Sequence, residues 1–124
     1  MTRHQAYRRP RTPLIEFTPK QLLRLSAATS SIEEFTSGSF LPVIGEVNKN
    51  ITQNSSDVSR VLVCSGRVYY DLVKEREAQG RTDVAVVRLE QLYPLATSEL
   101  AAALAPYENA EVVWVQDAPE NQGA

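Results

Sequence analysis

Between residues 60 and 94 the rhythm of apolar and polar positions changes twice. Val-Leu-Val-Cys (61–64) is a short apolar run that stops at Ser65-Gly66, as a buried strand does at a tight turn. From 68 to 77 the apolar residues Val68, Tyr69, Leu72 and Val73 form one helical stripe. Asp71, Lys74, Glu75, Arg76 and Glu77 fall on the other side. Gly80 is a helix stop, and Val-Ala-Val-Val (84–87) is a second buried strand. Strand, helix and strand with such short linkers predict a βαβ unit with a parallel pair and a right-handed crossover.

The pattern continues on both sides. Thr97 or Ser98 can cap a helix over 99–105, with Leu100, Ala103 and Leu104 inward and Pro106 ending it. Residues 111–116 read as a third strand, followed by the loop 117–123. Alternating elements of this kind predict an α/β fold, a mostly parallel sheet with flanking helices. Ligands in such folds sit outside the carboxyl ends of the strands, here 65–66, 89–92 and 116–123. Upstream, Leu-Ile-Glu-Phe (14–17) reads as a short strand, and Thr18 with Pro19 opens a helix carrying Leu22, Leu23 and Leu25. A second short helix spans 31–35, capped by Ser30 or Ser31 and followed by Gly38. Residues 48–59 are polar almost throughout and read as a linker or long loop. Asn54-Ser55-Ser56 matches a glycosylation acceptor, a pattern common by chance.

Composition narrows the class without assigning chemistry. The 124 residues are 43% hydrophobic and 23% charged with net charge −2, which suits a single soluble domain and favours neither nucleic acid nor an anionic membrane as a partner. No apolar run approaches the roughly 20 residues that span a bilayer, and no apolar segment follows the basic N-terminus as in a signal peptide. Cys64 is the only cysteine, so an internal disulfide and a cysteine-based zinc site are excluded. These features predict a soluble, intracellular protein.

Candidate chemistry is sparse. The arm 1–13 carries Arg3, Arg8, Arg9, Arg11 and the only histidine, His4. It could meet phosphate groups, or simply be a solvated connection. His4 has no histidine or cysteine neighbour to share a metal, and no nucleophile is paired with it. Ser65-Gly66 before a helix could receive an anion, although the turn needs glycine in any case. Cys64 reads as an inert buried thiol and Trp114 as packing. Tyr69 and Tyr70 are adjacent, so one faces the core and the other meets a neighbouring domain.

Three strand-end segments carry a family resemblance: Cys-Ser-Gly-Arg-Val-Tyr-Tyr-Asp-Leu (64–72), Val-Arg-Leu-Glu-Gln-Leu-Tyr-Pro-Leu (87–95) and Trp-Val-Gln-Asp-Ala-Pro-Glu-Asn-Gln-Gly-Ala (114–124). They resemble the C-terminal region of the thiamine-dependent, decarboxylating component of the 2-oxoglutarate dehydrogenase complex. Residues 13–24 and 35–40 extend the resemblance, which has an actinobacterial flavour, where the same chain is often fused to a succinyltransferase domain. The resemblance implies transketolase-like architecture: 1–40 as the tail of the pyrimidine-binding domain, 41–57 as a linker, and 58–124 as a transketolase-like C-terminal domain, truncated. It also implies a parent enzyme that decarboxylates 2-oxoglutarate on thiamine diphosphate with Mg²⁺, bound outside this region, and passes the succinyl group to a lipoyl arm in the tricarboxylic acid cycle. Implied partners are a second copy in a homodimer, the lipoyl-bearing succinyltransferase and dihydrolipoyl dehydrogenase. The implied compartment is the cytoplasm, or the mitochondrial matrix in a eukaryote. The chain lacks the family's Gly-Asp-Gly motif, so the resemblance implies no catalytic, cofactor-binding or metal-binding residue here, and a fragment inactive alone.

In some members acetyl-CoA or AMP binds a cleft beside this region as an allosteric effector. By resemblance Gln91 and Arg3 would contact that effector, while a basic pair found in some members falls on Ser98 and Glu99, which removes two phosphate-binding charges. Gln91 also reads as a hydrogen-bond anchor in its loop. Tyr70, Asp117, Glu120, Asn121 and Gln122 are expected at a domain or subunit contact. The alternative to this whole reading is a stand-alone α/β nucleotide-binding or interaction module.

Overall fold

The computed structural model describes residues 13, 15 and 17–123. In chain order its elements are α1 (Ile32–Ser37), β1 (Val43–Ile44), α2 (Lys49–Gln53), β2 (Arg60–Cys64), α3 (Val68–Ala78), β3 (Val84–Leu89), α4 (Thr97–Leu104) and β4 (Glu111–Val115). One sheet runs in the order β1-β3-β2-β4. β2 pairs in parallel with both β3 and β4, and β1 joins the β3 edge antiparallel. The α/β class and the mostly parallel sheet therefore follow the sequence pattern, with β1 as an added antiparallel edge.

The two crossover helices cover opposite faces. Val61, Val63, Ala85 and Val87 share one face and pack against Leu100, Ala103 and Leu104 of α4. Cys64 and Val86 lie on the other face with Tyr69, Leu72 and Val73 of α3. The strand β3, Val-Ala-Val-Val-Arg-Leu, is buried on both faces along its first four residues, as the inner strand of a helix-covered sheet must be. Gly66 turns the chain from β2 into α3 at φ +69°, and Gly80 leaves α3 at φ +63°; only glycine holds this backbone without steric cost.

Several expectations are corrected. Residues 48–59 are not an extended loop: α2 lies there, capped by the Asn48 side chain accepting from Asn50 N, with Ile51 1% exposed. Ile51 and Val58 are the two large apolar residues in that polar stretch, and both enter the core beside Val61 and Tyr107. Two apolar anchors suffice to order a segment whose average composition is polar. Arg76, expected on the solvent side of α3, is 6% exposed. It stands seven residues after Tyr69, hence on the same helix face.

The helix after β3 starts at Thr97 without a side-chain cap from Thr97 or Ser98. Ser98 Oγ instead donates to Glu99 Oε2 at 2.5 Å. Near the start, Ile15 and Phe17 are outside any strand and exposed; Leu14 and Glu16 lie outside the described residues. The helix expected after Pro19 is only two 3₁₀ turns, Leu22–Arg24 and Ser26–Ala28, and Thr18 does not cap them. Leu23 is exposed there, so the apolar packing that stabilises a short helix is missing. α1 does form, through a capping box in which Ser31 Oγ accepts from Glu34 N and Ser31 N donates to Glu34 Oε2. Of the two expected caps, Ser31 is the one used.

Candidate functional site at the carboxyl ends of the strands

β2 hands the chain to α3 on one face, and adjacent β3 hands it to α4 on the other. Doubly wound folds place ligands over the carboxyl ends of strands that hand off to opposite faces in this way, here β2 and β3. Arg88 is the central side chain there. Its guanidinium carbon sits 4.4 Å from the Tyr69 ring centre and 5.5 Å from that of Tyr70. Nη1 donates to Tyr70 Oη at 3.0 Å, and Nε lies 2.5 Å from Glu90 Oε1, an ion pair without the alignment of a hydrogen bond. The two rings meet edge to face, 5.1 Å between centres. The two rings, the Tyr70 hydroxyl and the Glu90 carboxylate hold the Arg88 guanidinium in place and stiffen the carboxyl end of β3.

Cys64 closes β2 beneath this cluster with no solvent exposure. Burial pushes its thiol up to about 11, against an opposing pull from the Arg88 charge. Burial likewise raises the Tyr69 phenol, again opposed by Arg88. A thiol shifted this way holds its proton at neutral pH and is a poor nucleophile. Native protein at pH 8 is therefore expected to resist a thiol reagent such as dithionitrobenzoate, with one equivalent reacting only after denaturation. Below about pH 9, the unfolded thiol's value, the raised pKa leaves stability unchanged, and it costs stability as pH rises from there towards 11.

The proposed effector and contact residues divide into distinct groups. Gln91 is half-buried in the loop after β3, and its Nε2 donates to Pro94 O at 2.7 Å while its backbone N donates to Pro42 O. It bridges its own turn, as an anchor does. Arg3 lies outside the described residues. Tyr70 faces the cluster through Arg88, on the edge of a groove of about 580 Å³ also lined by Leu22, Leu25, Val47, Val73 and Lys74. Asp117 is tied to the first turn of α3 by a 2.7 Å ion pair with Arg67, which also pairs with Asp71. Glu120, Asn121 and Gln122 are exposed along the loop 117–123. The structure thus brings Asp117 and the loop to the α3 end, while Gln91 belongs to a separate turn.

Trp114, expected as packing, is 39% exposed. Register pairs it with Val63 and pairs Val112 with Val61, so both project on the α4 face at the β4 edge, and Val112 is 53% exposed. Beside Trp114, a cavity of about 210 Å³ lies between the loop and α3, lined by Ser65, Val68, Gln116, Asp117 and Gly123 among others. Sequence reading missed Arg88 and Gln116. Arg88 announces itself in hindsight as a charge inside an apolar run, which needs a partner if buried.

Comparison with known proteins gives these loops a family. The "2-oxoglutarate dehydrogenase C-terminal" family matches residues 29–124. A "2-oxoglutarate dehydrogenase E1 component" from Azotobacter vinelandii is 50% identical over 125 aligned residues, all of this chain and 13% of its own length. The Haemophilus influenzae protein of the same description is 46% identical over the same share. A "Multifunctional 2-oxoglutarate metabolism enzyme" from Mycolicibacterium vanbaalenii is 47% identical over 90% of this chain and 9% of its own length. The resemblance therefore extends to actinobacterial forms without being particular to them. This chain, spanning about an eighth of the length of the relatives that it matches throughout, belongs to the 2-oxoglutarate dehydrogenase C-terminal family.

Proposed function

We propose that this chain serves as the C-terminal part of a 2-oxoglutarate dehydrogenase, completing the architecture of a subunit whose chemistry lies elsewhere in the protein. The observation that carries this reading is identity of 50% over the whole chain to a 2-oxoglutarate dehydrogenase E1 component. Decarboxylating a 2-oxo acid needs an electron sink that side chains do not supply. In the parent enzyme thiamine diphosphate with Mg²⁺ supplies it. Here the cysteine is buried and protonated and Arg88 is paired, so the described site suits support rather than catalysis.

Further parts of the proposal concern organisation and partners. In this reading residues 1–40 are the tail of the pyrimidine-binding domain and 41–57 link it to the C-terminal domain of 58–124, packing onto that domain's sheet and core through β1 and Ile51. The parent acts as a cytoplasmic homodimer in a complex with the lipoyl-bearing succinyltransferase and dihydrolipoyl dehydrogenase. The loop 117–123, with Asp117, Glu120, Asn121 and Gln122, and with Tyr70 nearby, makes a contact to the rest of the subunit or to its dimer partner.

An effector cleft for acetyl-CoA or AMP, contacted by Arg3 and Gln91, completes the proposal. Gln91 would meet the adenine compound through its amide oxygen, since its nitrogen is held by Pro94 O. Calorimetric titration of acetyl-CoA and AMP into the intact protein, repeated with Gln91→Ala, tests this part. Saturable binding weakened roughly tenfold, the loss of one good hydrogen bond, is the expected result. Binding unchanged by the substitution would leave Gln91 as an anchor of its own turn and remove it from the cleft.

A further inference from the structure

The carboxamide of Gln116 touches both ends of the loop 117–123. Nε2 donates to Ala118 O at 2.9 Å and to Pro119 O at 3.2 Å, while Oε1 accepts the indole N–H of Trp114 at 2.8 Å. Pro119 O is a hub, because the backbone N–H groups of Gln122 and Gly123 also donate to it, at 2.9 and 3.2 Å. The far end of the loop closes on the same amide: a Cβ built at Gly123 would overlap the Gln116 carboxamide. The strand, the loop's first turn and its last residue therefore converge on one planar group. Glutamate here would keep the acceptor and lose the donor, and leucine would have neither.

From this convergence we infer that Gln116 is the positioning residue that pre-forms the loop 117–123 as a rigid surface. The consequence for assembly rests on the contact reading proposed above; the clamp itself does not. A loop fixed before it meets its partner loses little conformational freedom on binding, so the clamp strengthens the contact without touching the partner. Arg67 adds a second tether at Asp117, on the opposite flank from Gly123.

Gln116→Leu and Gln116→Glu separate the parts. Both remove the amide donor, and Gln116→Glu keeps an acceptor for Trp114. Amide hydrogen exchange at Gln122 and Gly123 should accelerate roughly tenfold in both variants. Trp114 reports the other half directly: the fluorescence difference between variant and parent in the intact protein should be clear for Gln116→Leu and close to zero for Gln116→Glu. Gly123→Ala, at an exposed position that leaves the core untouched, should accelerate the same amides by displacing the carboxamide. Unchanged exchange in all three folded variants overturns the clamp. Sedimentation of the intact protein then addresses the contact: weaker association in Gln116→Leu supports it. Loosened loop amides with undiminished association would retain the clamp and overturn the contact.

Discussion

Replacing Glu46 by leucine should destabilise the fold by about 3–5 kcal/mol, the usual cost of leaving a buried charge without its partner. The Glu46 and Arg76 side chains are 1% and 5% exposed and form an ion pair through two contacts. Glu46 does more than neutralise Arg76. Its Oε2 accepts from Val86 N at 2.8 Å and its Oε1 from Asn48 N at 2.8 Å. The strand β1 pairs with β3 only at Val43 and Ile44, then leaves the sheet. Two residues on, the carboxylate of Glu46 takes the ladder's place at Val86. Arg76 in turn donates to Val84 O, so one buried pair joins β1, α3 and β3. Denaturant unfolding of Glu46→Leu measures the loss. Adding Arg76→Met should recover part of it by removing the orphaned charge. Recovery stays incomplete, because the Val86 N–H remains unpaired at a cost of about 1–3 kcal/mol. A single-variant loss below about 1 kcal/mol would mean that water reaches the pair and that β1 is not fixed by it.

Ile51→Ala carries the second large expectation, a loss of about 2–5 kcal/mol from the transfer and cavity terms of a buried aliphatic side chain. Ile51 is 1% exposed, packed in the core cluster with Val58, Val61 and Tyr107. The neighbours Thr52 and Asn50 are exposed, so Asn50→Ala should change stability by no more than about 0.5 kcal/mol. Together the two variants decide whether α2 is part of the folded unit. Equal, small effects from both would mean that the segment is a tether after all.

The contrast between these residues shows what was legible in the sequence and why. The βαβ unit could be read because its signal is repeated: apolar runs at β2 and β3, a helical stripe between them, and glycine at both turns. Each local preference agreed with its neighbour. α2 could not be read, since its place in the core depends on one isoleucine among asparagine, lysine, threonine and glutamine, and composition averages that residue away. Arg76 reads as solvent-facing by its charge, although its spacing from Tyr69 puts it on the inner face. Its partner Glu46 is thirty residues away, and long-range pairing leaves no local trace. β1 is two residues long, too short for an alternation to be seen.

The strand-end loops were legible in another way. Their order and wording carried the family, while physical reasoning alone reached only a parallel sheet with loops at its carboxyl ends. What neither route gave was the internal wiring: Arg88 between two tyrosine rings, and Gln116 folded onto the loop that follows it. Arg88 meets Tyr70 from eighteen residues away, a pairing that emerges only once the strand and helix are placed. The partners of Gln116 lie within three residues of it, in a loop that has no hydrophobic periodicity to announce its fold.

The central claim is that this chain contributes architecture to a 2-oxoglutarate dehydrogenase and no chemistry of its own. Carbon dioxide release from 2-oxoglutarate, in the presence of thiamine diphosphate and Mg²⁺, tests it when measured for the intact protein and for the 124-residue chain alone, with circular dichroism verifying that the chain is folded. The account predicts release by the intact protein and none above the cofactor blank by the chain. Turnover by the isolated chain, or an intact protein that leaves 2-oxoglutarate untouched, would contradict it.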